Sequence, residues 1–512
     1  MRITVTTSHN SRVPVKLNKL LPARPLAWVW RSVAAVFLLC ASTAISSAQT
    51  FSTLLTFNGT DGSSPISGLV QGTDGNFYGT SSIGGKNNAG TVFRITPAGA
   101  LMTLHSFCSL PGCTDGQYPN SALVLGTDGT FYGTTGQGGT GSTPYGTVFK
   151  ITPQGKLTTV YNFCPQSGCA DGAFPAAPMV QGTDGNFYGS TYEGGTNNFG
   201  VLFKVSPKGQ FSRIYSFCSK PGCADGEYPS YGALVRGLDG NFYGTTNLGG
   251  ANGDYGTVFK VTPAGKLTTL YSFCSQSSCM DGIYPAGLVR APNGNFYSTA
   301  TAGGICLGEG NAQGCGTVFE ITPSGKLTTL YVFCAQTECA DGANPTGLVQ
   351  ATDGNFYGAT SQGGKTKDGT FNGGSIFKIT PAGILTTLYA FCSLTNNCSD
   401  GSLPNGLVQS TGGSFWGITE AGTGTVFKLG VGLGPFVETL PTSRKVGATV
   451  TILGNSLTGS TSVTFNGKSA AFTVISASEI TAVVPAGATT GKVKVVTPHG
   501  MLISNAVFSV TP

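Results

Sequence analysis

Charge and histidine are scarce in this sequence. Charged side chains make up only 10 % of its 512 residues, and the three histidines are His9, His105 and His499. With so little imidazole, a Ser-His-Asp constellation or a histidine-rich metal centre lacks material. Long apolar runs are missing after residue 45, so the mature chain is expected to have no helical membrane span. The net charge of +6 hides a further lack, because residues 1–48 hold six basic residues and no acidic one. The rest then has 28 − 6 = 22 basic against 22 acidic residues. A neutral chain has no electrostatic footprint for nucleic acid or anionic lipid.

What is present starts with a leader. The basic stretch up to Arg31 runs into the apolar Val33–Ile45 and then Ser46-Ser47-Ala48. That order reads as a secretory signal peptide over residues 1–48, cleaved after Ala48. The expected location is extracellular or at the cell surface, with the periplasm as the alternative. Cys40 falls in the leader, which leaves 14 cysteines. Six close pairs are Cys108/Cys113, Cys164/Cys169, Cys218/Cys223, Cys274/Cys279, Cys334/Cys339 and Cys392/Cys398, and Cys306/Cys315 makes a seventh. In an exported chain such pairs read as local disulfides rather than as a zinc site, which needs four converging ligands.

Glycine is abundant, with 78 copies, and it is organised. The stretch Gly-Thr-Asp-Gly-Asn-Phe-Tyr-Gly at residues 72–79 returns, with variation, at residues 126, 182, 237, 291, 351 and 410, a spacing of 54 to 60 residues. Asp-Gly between apolar runs is a hairpin signal, because glycine accepts positive φ without steric cost. In the unit from Gly232 to Phe273, four strands are predicted. Ala233–Arg236 and Phe242–Thr246 flank the Asp-Gly turn. Gly256–Thr262 follows a glycine-rich loop, and Leu267–Phe273 follows the tight turn Pro263-Ala-Gly-Lys266. A cysteine loop then leads to the next unit.

Four antiparallel strands per repeat is the signature of a propeller blade. The phase of the array supports a closed ring. A fourth-type strand, Ser52–Phe57, precedes every other repeat strand, and the last unit stops after its third, Gly424–Leu429. One blade is therefore split between the two ends, as strand pairing across a closure requires. The expected fold is all-β: a seven-bladed β-propeller over residues 49–430, a linker at 431–434 and a small immunoglobulin-like β-sandwich over 435–512. The Asp-Gly and Pro-Ala-Gly-Lys turns share one end of every blade. The glycine-rich and cysteine loops share the other, more variable end, which receives insertions at Gly303–Gly314 and Gly363–Gly374. Variable loops on a rigid scaffold are the usual place for binding.

Two resemblances follow from these motifs. The repeated Asp-Gly-Asn-Phe-Tyr-Gly and Gly-Thr-Val-Phe-Lys-Ile-Thr-Pro elements over residues 51–429 resemble the GloVer-type tandem repeat of exported bacterial proteins. That resemblance implies no particular activity. The order Gly447…Val450-Thr-Ile-Leu-Gly-Asn455…Val463-Thr-Phe-Asn-Gly467…Val484-Pro-Ala-Gly487 resembles the IPT/TIG immunoglobulin-like domains, which implies a spacer or interaction module.

Candidate chemistry is thin. Twelve of the 14 aspartates recur in register. Five sit in the hairpin turn (Asp74, Asp128, Asp184, Asp239, Asp353) and seven follow the fourth strand (Asp61, Asp115, Asp171, Asp225, Asp281, Asp341, Asp400). Residues that recur once per repeat read as turn structure, since an active site is asymmetric, and a single carboxylate per turn is too few for calcium. The eight glutamates are scattered singly. Aromatics offer more. Tyr118, Phe174, Tyr228 and Tyr284 hold one position in four successive cysteine loops, and Tyr145, Phe199 and Tyr255 precede the third strand in three successive units. Together they suggest an aromatic arc suited to stacking on sugar rings, weighed against loops that pack on their own aromatics. The reading is an exported, non-catalytic binding or adhesion protein that recognises a glycan or an extracellular protein on the variable face and needs no cofactor or metal. The alternatives are a secreted carbohydrate-active lyase or hydrolase using Glu193, Glu227 or Asp254, and a purely structural surface component.

Overall fold

The computed structural model describes residues 49–141, 145–165, 168–229, 232–305, 315–364, 373–393 and 398–511. The expected leader, Cys306 and most of both long insertions lie outside them. From Gln49 onward the chain is one compact unit of strands, with no α-helix among the described residues.

The repeats form seven antiparallel sheets among the described residues. The fourth repeat shows the plan: Val235–Arg236, Phe242–Thr246, Thr257–Val261 and Leu267–Ser272 are hydrogen-bonded in that order. The sheet that closes the array is composite. Thr50–Thr56 pairs antiparallel with Thr425–Gly430, which continues to Phe415–Thr419 and Pro404–Gln409. This is the closure that the phase of the repeats predicts, and it leaves no free strand between the two ends of the array.

The second strand of each sheet is buried along its length, as in Phe242–Thr246, because neighbouring sheets cover both of its faces. Its tyrosine stacks on the phenylalanine of the next sheet. The pairs are Tyr78–Phe131, Tyr132–Phe187, Tyr188–Phe242, Tyr243–Phe296, Tyr297–Phe356 and Tyr357–Phe415, and Trp416–Phe77 returns to the start; centroid separations run from 3.9 to 4.3 Å. Each stack is worth roughly 0.5–1.5 kcal/mol beyond the area it buries. The glycine after the tyrosine makes room for a third-strand ring, since a Cβ on Gly189 would lie 2.7 Å from Phe203.

A buried tyrosine hydroxyl needs a partner, and the hairpin aspartate supplies it. Tyr188 donates to Asp184 at 2.9 Å, Tyr78 to Asp74 at 2.7 Å, and Tyr132, Tyr243 and Tyr357 do the same. In the fifth repeat asparagine, Asn293, replaces the aspartate. Glu320 on the third strand, where the other repeats have lysine or arginine, accepts from Tyr297 at 2.8 Å instead. In the last repeat the aspartate is absent, the tyrosine is Trp416, and Lys428 sits 5.9 Å over its ring.

Residues after Gly434 form a sandwich. One sheet runs Glu438–Leu440, Thr449–Leu453, Glu479–Val483, Phe472–Val474, and the other runs Lys468–Ser469, Ser462–Phe465, Val493–Thr497, Gly500–Ile503. Val450, Ile452, Val463, Phe465, Ile480, Val493, Val495 and Phe508 fill the space between them. The sandwich docks on the end of the propeller that carries the Asp-Gly turns. Ser478 donates to the Thr73 carbonyl at 2.6 Å, the Phe436 amide to Thr411 at 2.9 Å, and Leu440 and Leu453 pack with Tyr78 and Phe131.

The exchange in the fifth repeat can be tested by a double-mutant cycle. Glu320→Lys should cost about 1–3 kcal/mol in urea unfolding, because it strands the Tyr297 hydroxyl. Adding Asn293→Asp should recover most of that loss. Strictly additive effects would show that the two positions do not share one hydroxyl.

Candidate functional site

The end of the propeller away from the sandwich carries the glycine-rich and cysteine loops. Each cysteine loop is held by its aspartate. Asp225 accepts from the Tyr215 hydroxyl at 2.7 Å, the Ser219 amide and hydroxyl at 3.0 and 2.9 Å, and the Lys220 amide at 3.1 Å. Asp281 and Asp341 make the equivalent contacts. In the first such loop His105 stands in for the tyrosine, 3.0 Å from Asp115. Burial raises the Asp115 pKa, yet the bonds from Ser109, Leu110 and His105 leave it below the ordinary carboxylate value. These aspartates are structural supports, as their recurrence predicts. Six expected disulfides form: Cys108–Cys113, Cys164–Cys169, Cys218–Cys223, Cys274–Cys279, Cys334–Cys339 and Cys392–Cys398. Cys218, Cys223 and Glu227 come close enough to suggest a metal site, but both sulfurs are already bonded to each other.

The predicted aromatics fall on this face and interlock across sheet boundaries. Tyr145 meets Phe174 with centroids 4.8 Å apart, and Phe199 meets Tyr228 at 5.4 Å. The Tyr284 amide donates to the Tyr255 carbonyl at 3.0 Å, in the same relation. Tyr118, Phe174, Tyr228 and Tyr284 all adopt φ between 53° and 59°. That left-handed conformation is uncommon for aromatic residues. The amides of Tyr118, Phe174 and Tyr228 are anchored on Ala89, Tyr145 and Phe199 of the preceding repeat. Of the seven, Tyr118 is exposed at 37 % and the others are half-buried. The two sets are thus partners in packing and keep part of their surface open to solvent.

At the centre of this face opens a cavity of about 820 Å³. Its described lining comes from all seven repeat sheets, from two recurring positions that four of the units supply together and three supply singly. One follows the left-handed residue and its proline and includes Asn120, Thr346 and Asn405. The other ends the second strand and includes Tyr192, Asn247, Thr301, Ser361 and Glu420. Serine, threonine and asparagine share the lining with alanine, proline, glycine and isoleucine, Tyr192 and Tyr284 supply rings, and Glu420 is the one carboxylate among the described lining residues. No lysine or arginine lines it among the described residues. In the sequence Glu420 is one more scattered glutamate, and Tyr192, Asn120, Asn247 and Asn405 match no functional motif. A signal existed. The residue after the second strand reads Ser82, Gly136, Tyr192, Asn247, Thr301, Ser361, Glu420, varied between nearly constant flanks.

The three carboxylates of the enzyme alternative also come together, beside Tyr192 and Tyr228, whose rings stack at 4.5 Å. Burial raises the Tyr228 pKa, and Tyr192, Glu227, Glu193 and Asp254 raise it further. None of the three lines the central cavity. Glu227 is only 8 % exposed, and its pKa is raised by burial and then by Asp254 and Asp225.

The fold and this central opening define a propeller-like all-β protein with a second, immunoglobulin-like module. The profile of the Gloeobacter/Verrucomicrobia repeat matches residues 42–232 and 221–431, and that of the IPT/TIG domain matches 437–509. The chain belongs to the Gloeobacter/Verrucomicrobia repeat family and carries a C-terminal IPT/TIG domain. Among solved structures it is similar to virginiamycin B lyase from Staphylococcus aureus, at 14 % identity and a TM-score of 0.49, over 75 % of this chain and 99 % of that one. It is also similar to a fungal alcohol oxidase of the AA5 family in complex with copper, at 13 % identity and a TM-score of 0.50, over 90 % and 99 %. Likeness at this identity concerns fold alone. No curated protein sequence matches the chain. No helix among the described residues is long and apolar enough to cross a membrane.

A carboxylate with a raised folded-state pKa contributes stability that is full below its unfolded value and lost as pH rises through the folded one. Glu227→Gln should therefore raise the melting temperature near pH 7 and change it little near pH 4. A lower melting temperature near pH 7 would mean that a partner holds the Glu227 charge.

Proposed function

We propose that the protein is an exported binding or adhesion protein without catalytic activity, and that the variable face of the propeller recognises a glycan. The observation that carries this reading is asymmetry. The sandwich docks on the uniform end, whereas the opposite end gathers half-buried aromatics around a cavity lined by amides and hydroxyls. Aromatic surface beside such groups suits sugar recognition, where ring faces supply stacking area and hydroxyls find directed partners. Disulfides and anchoring aspartates stiffen the loops, which lowers the ordering cost of binding. The IPT/TIG module serves as spacer or docking element.

A second reading, a carbohydrate-active lyase or hydrolase, draws on the gathering of Glu193, Glu227 and Asp254 beside Tyr228. Proton transfer by paired carboxylates would need that arrangement to face a bound chain.

One experiment separates them. A glycan array and polysaccharide pull-down on residues 49–512 should show binding without shortening of the bound chains. Tyr118→Ala and Tyr228→Ala should each weaken it about tenfold or more, with melting curves verifying that the fold survives. Shortened chains, lost in Glu227→Gln, would establish the enzyme reading. Binding that both alanine variants leave intact would remove the aromatic face from the account.

A further inference from the structure

Glu420 is a carboxylate without a counter-charge. It directly follows the second strand of the closing sheet, Phe415–Thr419, at the wall of the central cavity, half-buried. One oxygen, Oε1, accepts from the Asn405 amide at 3.0 Å, and the same amide nitrogen donates to the Ile66 carbonyl at 3.1 Å. No ion pair reaches Glu420 among the described residues. The carboxylate thus faces a chamber that contains no basic side chain among its described lining.

Such a group is costly to keep. A partly desolvated charge destabilises the folded chain unless something pairs it. Water brings no charge for Glu420. An anionic ligand would be repelled, and a neutral sugar would leave Glu420 uncompensated. A ligand with an ammonium group pairs it, and hydroxyls on that ligand would meet the serine, threonine and asparagine side chains of the lining. The volume, about 820 Å³, lies within the range of small-molecule sites, roughly 300–1,000 Å³.

We propose that the mouth of the central channel is a specificity pocket for a hydroxylated ligand that carries an ammonium group, of the amino-sugar class. Glu420 is its ion-pair partner, Asn247 takes a hydroxyl, and Tyr192 and Tyr284 supply ring surface. The pocket deepens the glycan-binding reading and rests on it.

The pH dependence follows from the same geometry. Burial raises the Glu420 pKa and the Asn405 bond lowers it, with burial the larger effect. No charged side chain acts on it, neither from its own strand, nor from the strand of Asn405, nor from the neighbouring sheet at Ile66. Ammonium binding should therefore weaken as pH falls through this raised value, where the carboxylate gains its proton.

The test is calorimetric titration of the purified protein with glucosamine, glucose and N-acetylglucosamine near neutral pH. Glucosamine should bind about tenfold tighter than the other two. Glu420→Gln should abolish that preference without lowering the melting temperature, because it removes an uncompensated charge. Equal affinity for glucose and glucosamine overturns the ion-pair role, and so does a preference that survives Glu420→Gln. If no sugar binds at millimolar concentration, the pocket assignment fails. The array result then decides separately whether the aromatic face still binds glycans, so the two readings fail independently. A Glu420→Gln variant that melts earlier would assign Glu420 to the scaffold instead.

Discussion

The ring depends on one contact made seven times: an aromatic side chain from the second strand of one sheet stacked on the phenylalanine of the next. Because Trp416 returns to Phe77, the contacts form a cycle with no terminal member. A cycle requires every sheet to present the same shape, which explains the near-constancy of Asn-Phe-Tyr-Gly. The hydroxyl carried by the tyrosine cannot be left bare in that interior. It draws in a carboxylate, and the carboxylate doubles as the cap of the hairpin turn. Turn chemistry and packing chemistry thus meet in a single residue.

This coupling explains what could be read from the chain and what could not. The hairpin aspartates were legible because turn preference is local. Closure was legible from Ser52–Phe57 and Gly424–Leu429, because strand count is a property of order. The exchange of Asn293 and Glu320 was not, since the two residues lie on different strands and meet only once the tyrosine hydroxyl is placed between them. The left-handed backbone at Tyr118, Phe174, Tyr228 and Tyr284 was hidden for a different reason. Asparagine and glycine advertise positive φ, whereas aromatics at such a position do so only because the preceding repeat supplies a carbonyl. The cavity lining was obscured by averaging, since attention to what recurs passes over the one position in each unit that does not.

The scaffold also sorts the acidic residues. Those in register are committed: the hairpin set to tyrosine hydroxyls and turns, the loop set to the loops that follow the fourth strands. Glu193, Glu227, Asp254 and Glu420 stand outside both patterns, and all four lie on the variable end, three beside Tyr228 and one in the cavity wall. Lys86 and Lys220 lie in loops of the same end, so the face carries charges of both signs. Its loops remain stiff because disulfides and aspartates hold them, so the charges stay where the fold puts them.

A ring of near-identical units would surround a symmetric opening, and a symmetric opening cannot recognise an asymmetric ligand well. Here the departures from symmetry are concentrated where the second strands end. Side chains at that position touch neither the stacking cycle nor the hairpin network, so changes there cost the fold little. Tyr192, Asn247 and Glu420 could therefore diverge while their flanks stayed fixed by packing. The freedom of that one register, set inside a scaffold with almost none, is the physical reason to look for recognition along the axis rather than on the blades.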